Sequence, residues 1–299
     1  MHTSKLRALS LFVIIGAVAA VFSGCSNSDS ELRRVLTRYD RYTPPESRAK
    51  EAPSEHPTMY VRRSGGELVG VVNAEPLAGI DDAIEQPIRE LTTQLGYVRR
   101  AMQERTEEGE RIPPDALLVL NKDFTFVDVM RAIYASNAAG FPAPHLVTKK
   151  GYVHSVEPPM VHPQAGPYGW SAWMWITEGD TVRWMPIPES AIVPGVEPDP
   201  DAVWQMKVPP ARGSIDFATL TAQMRATIDT LDYIPEAQDR LIGIWAYDDF
   251  PYEKLVRLFD ALRADSEQMV GGRVTVLQGM QWSPPPDSVI TVRQPQPRQ

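Results

Sequence analysis

The sequence is almost without cysteine: Cys25 is the only one in 299 residues, so a disulfide within the chain is impossible. Histidine is scarce too. The chain has five, and no two are spaced to place metal ligands on one helix face. G-x-S-x-G and phosphate-binding glycine loops are also missing. We therefore expect no metal, no cofactor and no enzymatic activity, with histidines at the surface or half-buried.

Basic residues are in the minority. The chain has 30 Lys and Arg against 38 Asp and Glu, a formal net charge of −8. Nucleic-acid binding needs a basic face for the phosphates, and broad contact with anionic lipid headgroups needs one as well. Both kinds of partner are therefore disfavoured.

The N-terminus contains an apolar run that is too short to span a bilayer comfortably. Lys5 and Arg7 precede 14 uncharged residues, 9–22, whereas a spanning helix needs about 20. This length is typical of the apolar region of a signal peptide. Ser23 and Gly24 are small and lead directly to Cys25.

This segment resembles the lipobox of bacterial lipoproteins, in which the cysteine is acylated after cleavage. Phe22 departs from the usual Leu at the third position before the cysteine. The resemblance predicts a signal peptide over 1–25 and lipidation of Cys25, with Ser26 favouring the outer membrane and a body that faces the periplasm. Each methylene of an acyl chain that is buried in a membrane contributes about 0.8 kcal/mol to membrane binding. The alternative is a short uncleaved anchor with an incidental cysteine.

Composition divides the remaining chain into five segments. We expect a disordered tether over 26–58, a first domain over 59–151 and a Pro- and Gly-rich linker over 152–169. A second domain then covers 170–280, and a polar disordered tail covers 281–299.

Both domains show the same order of predicted elements, which is hairpin, helix, strand, helix and strand. Gly-rich turns after Ser64 and Glu178 indicate the hairpins. Apolar residues at steps of three and four indicate the helices. In the first domain these are Ile84, Ile88, Leu91, Leu95, Val98 and Met102, then Phe126, Val129, Met130, Ile133 and Tyr134. In the second they are Phe217, Leu220, Met224, Ile228 and Leu231, with Ser214 as N-cap, then Leu255, Leu258, Phe259 and Leu262.

One local match supports an internal duplication. Asp123-Phe124 and Arg131 align without gaps to Asp249-Phe250 and Arg257, at a constant offset of 126 residues. The alternative is coincidence between two generic strand–turn–helix segments. The shared order of five elements favours duplication into tandem domains.

A buried strand, an Asp turn, an aromatic residue, a helix and a final strand resemble the periplasmic domain of the ExbD/TolR family. Asp123 and Phe126 carry the resemblance in the first domain, and Asp249 and Tyr252 carry it in the second. The predicted fold class is α+β. Each domain is expected to be a mixed sheet covered on one face by two helices, in the order β-β-α-β-α-β.

The resemblance implies docking to envelope motor proteins or to peptidoglycan, within a Ton- or Tol-like biopolymer-transport system. The family carries one such domain behind a membrane-spanning helix with an aspartate that serves proton transfer. No acidic residue lies between Leu9 and Phe22, so we expect no proton conduction by this chain. The leading hypothesis is a non-enzymatic binding or scaffolding lipoprotein. The alternatives are a cell-wall glycan-acting enzyme and a passive spacer.

Two groups of residues have competing interpretations. Trp173, Trp175 and Trp184 could form an aromatic face that binds sugars or a protein partner, or a sheet face buried under the helices. The pair Asp248-Asp249 could act in acid–base chemistry, but a turn and helix N-cap is the favoured interpretation.

Overall fold

The computed structural model of the chain describes residues 41–53, 57–73, 84–106, 115–160, 170–188, 206–228, 240–264 and 270–277. The predicted signal peptide, the lipidation site Cys25 and the predicted C-terminal tail lie outside the described residues.

The first unit is a mixed sheet with two helices. Its elements are β1 (Thr58–Ser64), β2 (Glu67–Asn73), β3 (Gln86–Pro87), α1 (Ile88–Arg105), β4 (Leu117–Leu120), α2 (Phe126–Ala138), β5 (His145–Val147) and β6 (Val153–Ser155). The strands lie in the order β3-β2-β1-β4-β5-β6. Strands β1, β4 and β5 are parallel. The β1–β2 hairpin turns through Gly65 and Gly66, both with positive φ, as a two-residue hairpin loop requires.

The second unit repeats this plan. Its elements are β7 (Glu157–Met160), β8 (Trp170–Thr177), β9 (Thr181–Pro188), β10 (Met206–Val208), α3 (Phe217–Ile228), β11 (Leu241–Ala246), α4 (Tyr252–Leu262) and β12 (Arg273–Leu277). The strand order is β10-β9-β8-β11-β12-β7. Five of its six positions match the first sheet in order and direction. The predicted α+β class and the shared element order are confirmed.

The sixth position of each sheet is filled by one continuous stretch of chain. Strand β6 pairs antiparallel with β5 in the first sheet. Strand β7 follows one residue later and pairs parallel with β12 in the second. The prediction of a linker over 152–169 is therefore wrong for its first part. Pro158 and Pro159 lack N–H groups, and the pairing of β7 with β12 shifts register at these two residues, as expected where prolines interrupt an edge strand.

Each pair of helices packs on one face of its sheet, as predicted. In the first unit, Leu91 and Leu95 of α1 and Val129 of α2 cover Met59 and Leu118. The two helix-covered faces join in one apolar cluster that includes residues of both units. The opposite face of the first sheet carries a smaller cluster: Tyr42, Tyr60, Val71, Leu117, Val119, Val147 and Val153.

The segment 41–53, called here the N-terminal strap, was expected to belong to a disordered tether. In the structure it lies against the body, with Tyr42 4% exposed and backbone hydrogen bonds to Lys122, Lys149 and Val153. The prediction overlooked that a polar segment without apolar periodicity can be held by backbone bonds and one aromatic anchor.

Helix boundaries also differ in detail. Ile84 is 61% exposed and precedes α1, because Pro87 forms the N-cap and the helix begins after it. The cap of α3 is Asp216, not Ser214: its Oδ1 accepts the N–H of Thr219 at 3.0 Å. Leu231 lies outside the described residues.

Candidate functional site

The strap joins the two units at a buried polar cluster. Its first half is tied to the first unit: the carbonyl of Thr43 accepts the N–H of Lys122 at 2.8 Å, and the carbonyl of Pro45 accepts that of Lys149 at 2.9 Å. Further along, the carbonyl of Glu51 accepts the N–H of Val153 in β6 at 2.9 Å. The strap thus extends the first sheet at its β6 edge by one antiparallel bridge.

The middle of the strap is held by the second unit. Asp260 on α4 accepts the backbone N–H of Arg48 with both oxygens, at 3.0 and 3.1 Å. The hydroxyl of Ser47 donates to Asp260 Oδ1 at 2.6 Å. A charged acceptor makes such bonds shorter and stronger than neutral ones. Asp260 is therefore the main attachment of the strap to the second unit.

His154 lies beneath these contacts. Its side chain is 3% exposed, and its Nε2 lies 2.8 Å from Ser47 Oγ and 3.2 Å from Asp260 Oδ1. Its Nδ1 lies 3.4 Å from a guanidinium nitrogen of Arg263. The ring also makes an edge contact with Phe259, with centroids 5.5 Å apart. His154 therefore contacts both the strap and α4 through Nε2, and the C-cap of α4 through Nδ1.

The surrounding donors assign the tautomer of this ring. Arg263 has only donors and no lone pair to offer, so His154 Nδ1 must accept from it. The proton of the neutral ring is then on Nε2, where Ser47 Oγ and Asp260 Oδ1 can receive it. One directed chain of hydrogen bonds results: Arg263 to His154, His154 to Ser47, and Ser47 to Asp260.

Burial and charge set the protonation of the cluster. Burial above all lowers the pKa of His154, and Arg263 lowers it further, against the opposing pull of Asp260 and Glu51. Burial alone would raise the pKa of Asp260, but hydrogen bonds from His154, Ser47 and the Arg48 N–H outweigh it, and the pKa falls. A neutral imidazole next to an ionised carboxylate is thus the favoured state near neutral pH.

Serine, histidine and aspartate in mutual contact invite comparison with a hydrolase triad. In a triad the carboxylate holds Nδ1 while the serine bonds to Nε2. Here Asp260 lies on the Nε2 side together with Ser47, and a cation occupies Nδ1. Asp260 therefore cannot stabilise an imidazolium through Nδ1, and Arg263 opposes the formation of the imidazolium. The arrangement suits a structural latch and does not suit nucleophile activation.

A second polar contact fastens the start of the strap. The Tyr42 hydroxyl donates to Glu85 Oε1 at 2.9 Å, and Arg41 and Arg62 pair with the same carboxylate. The hydrogen bond from Arg62, aided by Tyr42, lowers the pKa of Glu85 against the effect of burial. Burial, and then the Glu85 bond, raise the pKa of Tyr42. Glu85 is therefore a permanent anion that orders the beginning of the strap.

The predicted tryptophan surface is not exposed. Trp173 and Trp175 lie on one sheet face with ring centroids 6.1 Å apart, and they are 3% and 1% exposed. Trp184 is fully buried on the opposite face, in the helix-covered core. The register pairs Trp184 with Met174, and side chains alternate between faces along a strand. The three rings do not form one surface, so the expectation of Trp184 near the other two is wrong.

The residues that carried the resemblance lie at the junction between the units. Asp123 and Asp249 are exposed in equivalent turns, and Phe126 and Tyr252 are buried at the first positions of α2 and α4. The predicted capping role of Asp248-Asp249 is wrong, since Pro251 is the N-cap and no side chain caps that helix. The turn assignment itself is correct.

The same segments form an antiparallel bridge between Thr125 and Pro251. The N–H of Phe126 donates to the carbonyl of Phe250 at 2.7 Å, and the N–H of Tyr252 donates to that of Phe124 at 2.9 Å. Exchanging each residue for its equivalent at the 126-residue offset converts one bond into the other: Phe126 becomes Tyr252 and Phe250 becomes Phe124. The junction therefore has local two-fold symmetry within a single chain.

Sequence reasoning missed Ser47, Asp260 and Arg263 as site residues, and it placed His154 among surface or half-buried histidines. These four come from the strap, β6, α4 and the α4 C-cap. No short motif links positions so far apart, and the strap was expected to make no contact. His2, His56 and His162 lie outside the described residues.

No family model matches this chain, and no curated protein matches it in sequence. Within the described ranges, no group of three or more His, Cys, Asp or Glu residues is placed to hold a metal ion. In the same part of the chain, no helix combines the length and apolar character needed to cross a bilayer.

Proposed function

We propose that this protein is a non-enzymatic lipoprotein of the bacterial cell envelope that scaffolds partner proteins through a rigid double module. The observation that carries the proposal is the symmetric junction between two units of the same topology. Two small domains joined by a shared core and paired backbone segments present their outer surfaces at a fixed relative position. That property suits a scaffold that must hold a partner in a defined geometry.

The resemblance of both units to ExbD/TolR domains supplies the class of partner. We expect contacts with subunits of an envelope motor complex, made by the outer surfaces of the units. The body is held to the outer membrane by lipid on Cys25 and faces the periplasm. The polar cluster under the strap supports a structural role, because Asp260 and His154 both contact the strap at Ser47.

Cross-linking in intact cells, followed by mass spectrometry, tests this proposal. The wild-type chain should be recovered from the membrane fraction, cross-linked reproducibly to ExbB-like or other motor subunits. The Cys25→Ala variant should move to the soluble fraction and lose those cross-links. A variant that still fractionates wholly with membranes would disprove the lipid anchor. A wild-type chain that cross-links to no protein would leave a passive spacer as the better account.

A further inference from the structure

His154 lies where the strap meets the second unit, with its Nε2 2.8 Å from Ser47 Oγ and 3.2 Å from Asp260 Oδ1. We propose that the strap is a pH-sensitive latch, in which protonation of His154 releases the segment around Ser47 and Arg48 from α4. The inference concerns the folded body alone and does not require the lipid anchor.

The geometry explains why a proton would break the latch. A proton on His154 Nδ1 would set an N–H against a guanidinium N–H of Arg263 and bring two cations together while the side chain is only 3% exposed. Ser47 of the strap lies against the other ring nitrogen, so release of the strap would let water solvate the imidazolium. Arg263 cannot move away freely, because it also donates to the carbonyl of Ser155.

The charges facing His154 act in both directions. Asp260 on α4 and Glu51 on the strap favour the imidazolium, whereas burial and Arg263 oppose it, and the pKa is lowered overall. An imidazolium that turned to Asp260 for compensation would compete with Ser47 and Arg48 for the same carboxylate oxygens. This competition weakens the strap contact.

The direction of the pH effect on strap docking follows from the linkage between docking and protonation of His154. A histidine with a lowered pKa in the docked state takes up its proton more readily once the strap is released. Docking is therefore at full strength above the ordinary histidine pKa of about 6.5. It weakens as pH falls below that value, by up to about tenfold per pH unit for one proton, until the docked pKa is reached. Histidine is suited to such a switch because it titrates in this range.

Hydrogen exchange of the full chain in detergent micelles, from pH 7.5 to 5.0, tests the latch. Rates are converted to protection factors so that the intrinsic pH dependence of exchange is removed. Peptides covering 46–50 should lose protection below about pH 6.5, by up to about tenfold per unit, while peptides of α2 keep theirs. Constant strap protection across this range would overturn the proposal.

Matched variants test whether His154 is the group whose titration releases the strap. His154→Gln, which keeps an N–H donor but cannot titrate, should give strap protection independent of pH. His145→Gln, on the neighbouring strand β5, should respond like the wild type. An undiminished pH response in His154→Gln would overturn the proposal.

If His154→Gln does not fold, as judged by protection of α4, exchange of the imidazole C2 proton in the wild type gives the His154 midpoint directly. That midpoint should lie below 6.5 and coincide with strap release, and a midpoint at or above 6.5 would refute the latch. Cys25→Ala should behave as the wild type in every arm, so a failure of the anchor is distinguished from a failure of the latch.

Discussion

At the scale of single residues, the two units share an ion pair with its charges reversed. In the first unit, Arg63 on β1 pairs with Asp128 on α2, and that carboxylate is 1% exposed. In the second, Lys254 on α4 pairs with Asp180 in the β8–β9 turn, which is 6% exposed. Asp128 and Lys254 differ by the 126-residue offset. Each pair links a hairpin to the first turn of a helix beside the junction. The hairpin carries the cation in the first unit and the anion in the second.

Replacing Lys254 with alanine should destabilise the protein by about 1–3 kcal/mol, because it leaves a buried carboxylate without its cation. Asp180 Oδ1 already lacks a partner among the described residues, so nothing there compensates the loss. Urea unfolding measures the change.

Arg257→Ala, on the same helix, is the matched control. Its pair with Glu253 joins side chains that are 61% and 45% exposed, and such pairs contribute little. Equal losses in the two variants would contradict the assignment of the Asp180–Lys254 pair as a buried contact.

Residue chemistry was predictable only where it is local. The turn after β4 and the aromatic residue that follows it are read from adjacent positions, and the 126-residue match located both copies. His154 was not predictable as a buried residue, because its partners are Ser47, more than a hundred positions earlier, and Asp260, more than a hundred later.

At the scale of elements, the strap is the feature that most changes the expected organisation. It has no helix and forms only one bridge, to β6. Tyr42 nevertheless lies in the small apolar cluster on the open face of the first sheet and packs against Tyr60 with the rings tilted and their centroids 5.4 Å apart. A single buried aromatic residue thus supplies the apolar contact that backbone bonds alone would not.

Tyr42→Ala should lower the free energy of unfolding by about 3 kcal/mol, the usual cost of truncating a buried aromatic side chain. It should also raise the exchange rate of the Lys122 amide, which donates to the strap at Thr43. Urea unfolding and hydrogen exchange give the two readouts.

Tyr42→Phe separates the contribution of ring packing from that of the hydroxyl hydrogen bond. It keeps the ring, removes the hydroxyl that donates to Glu85 and should cost about 1 kcal/mol. A Tyr42→Ala variant as stable as the wild type would mean that the strap does not depend on this anchor.

Elements with strong periodicity were predicted well, and those without it were not. Helix α2 and helix α4 follow their apolar stripes from Phe126 and Tyr252 onward. Strands β6 and β7 were not predicted, because their sequence is rich in proline and polar residues and is typical of a linker. Their pairing is decided by the open edges of two sheets, which no local pattern reveals.

At the scale of the whole molecule, the two units behave as the halves of a symmetric dimer joined in one chain. The bridge at Thr125 and Pro251 lies on the local two-fold axis, and the helices that follow it contribute to one continuous core. A two-fold contact pairs each surface with its own equivalent. Duplication of one unit therefore accounts both for the repeated topology and for the way in which the copies dock.

The pattern of turns and apolar residues predicted the fold of each unit but not their docking. Phe124 and Phe250 were recognised as equivalent from their shared turn. Their carbonyls turned out to accept hydrogen bonds from the opposite unit. A sequence repeat indicates that two units have the same fold, but it does not indicate which surfaces of the units contact each other.

The most direct test of this account is an engineered disulfide across the two-fold axis. Thr125→Cys and Pro251→Cys are combined in a full chain whose only native cysteine is replaced, Cys25→Ser. Residues paired in this way across an antiparallel bridge have Cα atoms about 4.5 Å apart, within the range that a disulfide allows. We predict that mild oxidation closes an intramolecular bond in nearly all molecules, with the fold retained, while each single-cysteine variant stays monomeric or forms only intermolecular dimers. Free thiols or intermolecular disulfides in the double variant would contradict the symmetric docking of the two units.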